Sequence, residues 1–295
     1  MTSTFSSISE RSHPAWHHET LQANGIKFHY VTAGEGPLLL LLHGFPEFWY
    51  SWRHQIPILA KTHKVVALDL RGYNDTEKPQ GSRAYRLPIL IQDVVAVIKA
   101  LDYDQCTLVG HDWGGAIAWG VANEHPHLID NLIVLNLPHP VRFLQGMRTP
   151  QQLLKSWYVG LFQLPWLPEF LFQLGDYRAF DSIFDATMRS RQALTKDDIN
   201  AYKLAFAKPG STTAAINYYR NVISSDWLNI KWQVLTMPVL MIWGEDDSFL
   251  GKELTYGTEE YAQDFQIHYV PNCGHWVQQE RPDLVNQYIC DFLAE

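Results

Sequence analysis

The 295-residue chain has only three cysteines, Cys106, Cys273 and Cys290. An odd number at scattered positions makes neither a disulfide framework nor a metal or redox spacing, which points to a reducing, cytoplasmic compartment. Long aliphatic runs are also missing. The longest, Leu38 to Leu42, falls far short of the ~20 residues that span a bilayer. There is no basic run, and 23 Lys and Arg against 31 Asp and Glu leave a formal net charge of −8. Such a chain offers no general attraction to nucleic acid or anionic lipid, so neither a nucleic acid nor a membrane is expected as a partner. The start, Met1 to Pro14, lacks an apolar core and reads as a disordered lead rather than a signal peptide. Thirteen histidines include no H-E-x-x-H or comparable spacing, and neither a metal nor another cofactor is expected.

What is present is a full hydrophobic complement, 46% against 18% charged residues, with 11 Trp, 14 Tyr and 14 Phe. That suits either one large α/β domain with an inserted subdomain or two ordinary domains. Leu21 to Val31 reads as a hairpin turning at Asn24-Gly25. Leu38–Leu42 and Lys64–Leu70 read as buried strands, and Gln105–Val109, Leu132–Leu135, Val239–Trp243 and Phe265–Val270 as further strands. Trp49–Leu59, Leu87–Leu101, Ala116–Asn123 and Pro282–Leu293 read as helices. Strand and helix alternate, which implies a mostly parallel sheet with helices on both faces. From Val141 to about Trp227 the rhythm fails. Helical and aromatic segments, Ile216 to Ile223 among them, replace β-branched strands, and the strand pattern resumes at Val239. One sheet interrupted by a helical cap is the simplest reading, with core over 1–137 and 229–295 and cap over 138–228.

Val109-Gly110-His111-Asp112-Trp113-Gly114-Gly115 follows a strand and precedes a helix. In a G-x-Nu-x-G elbow the flanking small residues let strand and helix pass closely, while the central residue is strained and exposed above the sheet. Here that residue is Asp112, a carboxylate at a helix N-terminus, where free N–H groups favour an anion. An aspartate that attacks saturated carbon forms an alkyl ester, which water activated by a histidine can cleave. The substrate chemistry implied is an electrophilic sp3 carbon with a leaving group, an epoxide or an alkyl halide. The strand Leu38–Leu42 delivers His43-Gly44-Phe45-Pro46-Glu47 to the same sheet edge, making the backbone N–H groups of Phe45 and Trp113 candidate oxyanion donors. Gly244-Glu245-Asp246-Asp247 follows a later strand and Asn272-Cys273-Gly274-His275-Trp276 the last. Nucleophile, acid and histidine in that order match the α/β-hydrolase triad. Only His275 sits behind a Gly after the last strand. Order along the chain leaves Glu245, Asp246 and Asp247 unresolved as the acid, and the alternative position after the strand beyond the elbow holds Asn136.

From about residue 20 to its end the chain resembles the soluble epoxide hydrolases of the α/β-hydrolase fold. The stretches that carry the resemblance are His43 to Arg53, Gly110 to Gly115, Asn217-Tyr218-Tyr219-Arg220-Asn221 and Asn272 to Trp276. The resemblance implies Asp247 as the acid, a cis bond before Pro46, and a Glu47 that helps to position the hydrolytic water. It also implies two cap tyrosines over the nucleophile, Tyr158 and Tyr219. Asn74 departs from the family, where Gly is usual. An epoxide opens to an alkoxide, which needs a proton donor, whereas a departing halide does not. Two tyrosines therefore favour a small apolar epoxide, hydrolysed to a vicinal diol, over a haloalkane or haloacid. An inactive hydrolase fold serving as a ligand receptor is the alternative from another class, and the complete triad argues against it. A monomer or homodimer is expected.

Overall fold

The computed structural model describes residues 16–222, 224 and 226–295. The lead expected over 1–14 lies outside the described residues, as does Ile223. Strands β1 (His17–Ala23) and β2 (Ile26–Ala33) form the hairpin around Asn24-Gly25. Both turn residues lie at positive φ, as a two-residue turn that follows the strand twist requires. Strands β3 (Leu38–Leu42), β4 (Lys64–Leu68), β5 (Cys106–His111), β6 (Ile129–Leu135), β7 (Val239–Gly244) and β8 (Phe265–Val270) complete one eight-stranded sheet, ordered β1-β2-β4-β3-β5-β6-β7-β8. From β4 to β8 every pairing is parallel, and β1 and β2 add an antiparallel edge. All five leucines of β3 are buried. An unbroken apolar run is what a strand covered on both faces needs.

The core helices are α1 (Ile56–Leu59), α2 (Leu87–Ala100) and α3 (Trp113–Glu124). Helix α2 packs on α3, and α3 on β5 and β6. The single helix expected over Trp49–Leu59 is corrected. It is a 3-10 turn over Trp49–Trp52 followed by the short α1. Pro57 lacks an N–H and is accommodated only in a first turn, so a new helix starts at Ile56.

Between β6 and β7 run eight helices among the described residues. These are α4 (Pro140–Gly146), α5 (Pro150–Lys155), α6 (Trp157–Phe162), α7 (Leu167–Gln173), α8 (Ala179–Thr187), α9 (Lys196–Ala207), α10 (Ser211–Arg220) and α11 (Asp226–Asn229). Strand β7 then pairs directly with β6, Leu132 opposite Val239, so the inserted helices interrupt one continuous sheet. Two short C-terminal helices, α12 (Val277–Glu280) and α13 (Pro282–Phe292), close the chain. The insertion is fastened to the core by aromatic packing and by buried polar bonds. Phe45 meets Phe162, Phe172, Phe206 and Tyr219 with ring centroids 5.1 to 5.8 Å apart, and burying one such ring stabilises by about 1.5–3 kcal/mol. Tyr218 donates to the Arg71 carbonyl at 2.7 Å and Tyr50 to Asp198 Oδ1 at 2.8 Å. Asn74, the position at which the resemblance implies Gly, lies at φ 43° and donates to Asp69 Oδ2 at 2.7 Å. Asn is the side chain that best tolerates that left-handed conformation, so the departure is structurally benign.

Strand β3 is followed by β4 on one side and flanked by β5 on the other. The chain direction across the sheet reverses there, and the crevice above the strand ends at such a reversal is where open α/β sheets bind ligands.

Candidate active site

Asp112 lies at that reversal, between β5 and α3, with φ 50° and ψ −119°. A non-glycine residue there costs of order 1–3 kcal/mol, held by the packing around it. The flanking glycines explain how the elbow closes. A Cβ on Gly110 would meet the Gly114 carbonyl oxygen at 2.4 Å, and one on Gly114 the Leu42 carbonyl oxygen at 2.2 Å. Gly44 is bound by the same logic, since its Cβ would stand 2.4 Å from the Asp112 Cβ and 2.7 Å from Oδ1. Gly44→Ala is therefore expected to lower kcat/KM by about 10²-fold, the scale of an ångström-sized misplacement at a reacting group. Unchanged kinetics in a folded Gly44→Ala protein would show that Asp112 has more room than this geometry allows.

The Phe45 N–H donates to Asp112 Oδ1 at 2.8 Å, directly before the cis Phe45-Pro46 bond. Trp113 opens α3, so its N–H belongs to the unpaired first turn of that helix. Oδ2 faces His275 Nε2 at 3.5 Å. On the other side of the ring, His275 Nδ1–H donates to Asp247 Oδ2 at 2.7 Å. Asp247 also accepts from Asn136 Nδ2 at 2.7 Å and from the N–H groups of Phe249 and Leu250 at 2.7 and 3.0 Å. Burial alone would raise the Asp247 carboxyl, but the charge and hydrogen bond of His275, then Asn136, hold it below the usual carboxylate range. The three acids left open by sequence thus separate. Glu245 pairs with Lys252, Asp246 is half exposed and faces Arg189, and Asp247 is buried against the histidine.

Burial would likewise raise Asp112 and lower His275, and in both cases the ionic partners prevail. Asp112 is lowered by the hydrogen bond and charge of His275, with smaller help from His111 and the Phe45 N–H. His275, between two carboxylates, is raised to about 10. These directions make the resting site a carboxylate, an imidazolium and a second carboxylate, all largely buried, with Asp112 open to the cavity.

Over Asp112 stand Tyr158 of α6 and Tyr219 of α10, ring centroids 5.8 Å apart and edge to face. Gln163 ties the two helices, donating to the Val159 and Tyr219 carbonyls at 3.0 and 2.9 Å. Burial first, then the charge of Asp112, raises both phenols above their ordinary value, so both keep their protons at neutral pH. Asp112, Tyr158 and Tyr219 line two apolar lobes in common. One of about 270 Å³ runs past Phe45, Phe172, Phe249 and Trp276, and one of about 60 Å³ past Leu137, Phe143 and Trp227.

Glu47 stands behind the triad, outside the lining of either lobe. Its carboxylate receives Gln279 Nε2 at 2.6 Å, Gln278 Nε2 at 3.1 Å, the Gly44 N–H at 3.2 Å and His111 Nδ1 at 2.7 Å. His111 Nε2–H in turn donates to the His275 carbonyl at 2.9 Å. His111, Gln278 and Gln279 were not singled out from sequence. The one signal available for His111 was its place beside the nucleophile, because a buried histidine next to an elbow must find partners.

A family model described as alpha/beta hydrolase fold matches residues 37–282. Epoxide hydrolase 4 of Homo sapiens is 44% identical over 283 residues, covering 93% of this chain and 78% of that protein. The AB hydrolase superfamily protein YfhM of Bacillus subtilis is 39% identical over 282 residues, covering 92% and 96%. Among solved structures, an epoxide hydrolase from Bacillus megaterium in complex with an inhibitor superposes with a TM-score of 0.87 at 35% identity, over 94% of this chain and 100% of that one. One from Vigna radiata gives 0.83 at 30%, over 96% and 99%.

Proposed function

Given that this chain belongs to the epoxide hydrolase family of the α/β-hydrolase fold, we propose that it hydrolyses a small apolar epoxide to a vicinal diol through a covalent ester on Asp112. The observation that carries the reading is a carboxylate at the elbow facing both the triad histidine and two protonated phenols. Asp112 Oδ2 attacks one ring carbon, the ring C–O bond breaks, and Tyr158 or Tyr219 protonates the departing oxygen. A halide would need no such donor. Oδ1 remains in the pocket of the Phe45 and Trp113 N–H groups.

Alkylation removes one of the two anions that keep the proton on His275. The ring's proton affinity then falls and its proton passes to the phenolate left by ring opening, restoring the phenol; the neutral imidazole then takes a proton from water as that water attacks the Asp112 carbonyl carbon. Collapse breaks the bond between that carbon and Oδ2, His275 returns the proton to the leaving oxygen, and the diol departs. Asp247 and Asn136 orient the ring. Glu47 acts on the water at one remove, by holding His111 and through it the backbone of His275.

The direct test is diol formation from terminal and styrene-type epoxides, with halide release from matched alkyl halides as the counter-assay. Halide release without diol would replace this reading by dehalogenation. The pH dependence follows from the raised histidine. Single-turnover ester hydrolysis is expected to rise with pH to a plateau, with an apparent pKa below the value of about 10 of the resting site, because the alkylated enzyme has lost one stabilising charge. A hydrolysis rate that falls as pH rises would exclude neutral His275 as the base. Asp247→Asn is expected to slow ester hydrolysis far more than ester formation, and Asp246→Asn to be mild. The reverse ranking in pre-steady-state kinetics would reassign the acid.

A further inference from the structure

Glu280, the last residue of α12, is a buried acid that the chemistry above leaves unused. It lines neither lobe of the cavity, and its hydrogen-bond partners among the described residues are backbone N–H groups. Oε1 accepts from Gly274 at 3.0 Å, immediately before the triad histidine. Oε2 accepts from Arg189 and Ser190 at 2.7 and 3.0 Å, in the inserted segment just after α8. One side chain thus spans the boundary between insertion and core, with one oxygen on each side. Only an ionised acid accepts at both ends, because an amide would turn its NH2 group toward one set of donors. Burial raises the carboxyl above the ordinary glutamate range, and the three N–H groups oppose that shift.

Insertion and core meet closely at this point. A Cβ added to Gly274 would stand 2.6 Å from the carbonyl oxygen of Thr187, the last residue of α8, and 2.8 Å from Glu280 Oε1. The glycine before His275 is therefore required by the approach of α8 and of the Glu280 carboxylate. On the other side of the histidine, Trp276 packs against Phe184 of α8 with ring centroids 4.8 Å apart. The same helix reaches the substrate space, since Ala179 and Ile183, about one turn apart, line the larger lobe. Helix α8 faces the cavity with one part and both neighbours of His275 with another.

We propose that Glu280 is a positioning residue for ester hydrolysis, coupling α8 to the loop that carries the base so that the seated insertion holds His275 over the alkylated Asp112. Asp247 fixes the ring through Nδ1, and His111 fixes the carbonyl of the same residue. Glu280 supplies the remaining hold, on the N–H one residue upstream. A base must lie within hydrogen-bond reach of the water it activates, and a shift of about an ångström loses that reach. Alkylation requires the Asp112 carboxylate and a phenol, so it is spared. The coupling belongs to the fold, but its effect on turnover rests on the epoxide reading above.

The test is Glu280→Gln, which keeps the shape of the side chain and removes one of its two accepting ends. Single-turnover kinetics are expected to show ester hydrolysis slowed by about 10²-fold, the scale for displacing a reacting group by about an ångström, with ester formation little changed. Mass spectrometry in the steady state should then find the Asp112 ester accumulating. Glu280→Asp, whose two oxygens sit on a shorter arm, should recover part of the loss, and it shows the same selective slowing if the Gln variant does not fold. Equal slowing of both half-reactions, the mark of a packing loss, or unchanged hydrolysis would overturn the proposal. Amide hydrogen exchange reads the coupling without substrate, since the Gly274, Arg189 and Ser190 N–H groups should exchange faster together in the variant. Faster exchange at Arg189 and Ser190 alone would also overturn it. Concerted exchange in a protein that opens no epoxide would leave the coupling standing and defeat the proposed activity instead.

Discussion

His275→Gln is expected to stop the cycle midway and leave the protein carrying the mass of one intact epoxide on the peptide that contains Asp112. Alkylation needs no base, since the carboxylate is already ionised and its Oδ1 is held by the Phe45 N–H at 2.8 Å. Ester hydrolysis does need one, and His275 is the ring that faces Oδ2. Steady-state turnover should fall by about 10⁴-fold, the loss typical of disabling a triad histidine's function. Isotope labelling gives the same answer from the intact enzyme. With enzyme in excess, the first diol should take its new oxygen from Asp112 and none from labelled water, and label should appear only over many turnovers. Labelled diol in the first turnover, with no adduct in His275→Gln, would mean that water attacks the epoxide directly.

Removing the two phenols is expected to strike the other half-reaction. Tyr158→Phe and Tyr219→Phe should each slow alkylation, and the double variant should lose about 10²- to 10⁴-fold, the range for general acid assistance. The single variants should be milder than half of the double effect, because both phenols line the cavity beside Asp112 and one can serve as the acid when the other is removed. The stopped-flow rate of ester formation distinguishes this from a packing loss, since ester hydrolysis in the same variants should change little. Wild-type alkylation in the double variant would remove both tyrosines from the mechanism.

The strands were legible because burial on both faces writes itself as an unbroken apolar run. The five leucines of β3, all buried, occupy the residues expected of them, and so does β8, although five of its six residues are only partly buried. The elbow was legible because Gly110 must pass Gly114 four residues on, a local demand, although Gly114 itself is crowded by Leu42 of a neighbouring strand. The helix expected over Trp49–Leu59 is instead two pieces, since Pro57 fits only a first helical turn and the Trp49 N–H is taken up by Asp69 Oδ1 at 2.9 Å. Chain order could not choose among Glu245, Asp246 and Asp247, since three adjacent carboxylates are equivalent until one of them is buried.

By itself the sequence determined the alternating fold, the interruption after β6, the carboxylate at the elbow and the histidine after the last strand. These follow from interactions between near neighbours along the chain. Only the tertiary structure decided that Asp247 meets His275, that Tyr158 and Tyr219 converge over Asp112, and that Glu47 and His111 stand behind the triad. It alone also decided which aromatics line the cavity and which are left facing solvent. Contacts between residues tens to about a hundred positions apart depend on how the sheet and the inserted helices pack, and no local pattern records them.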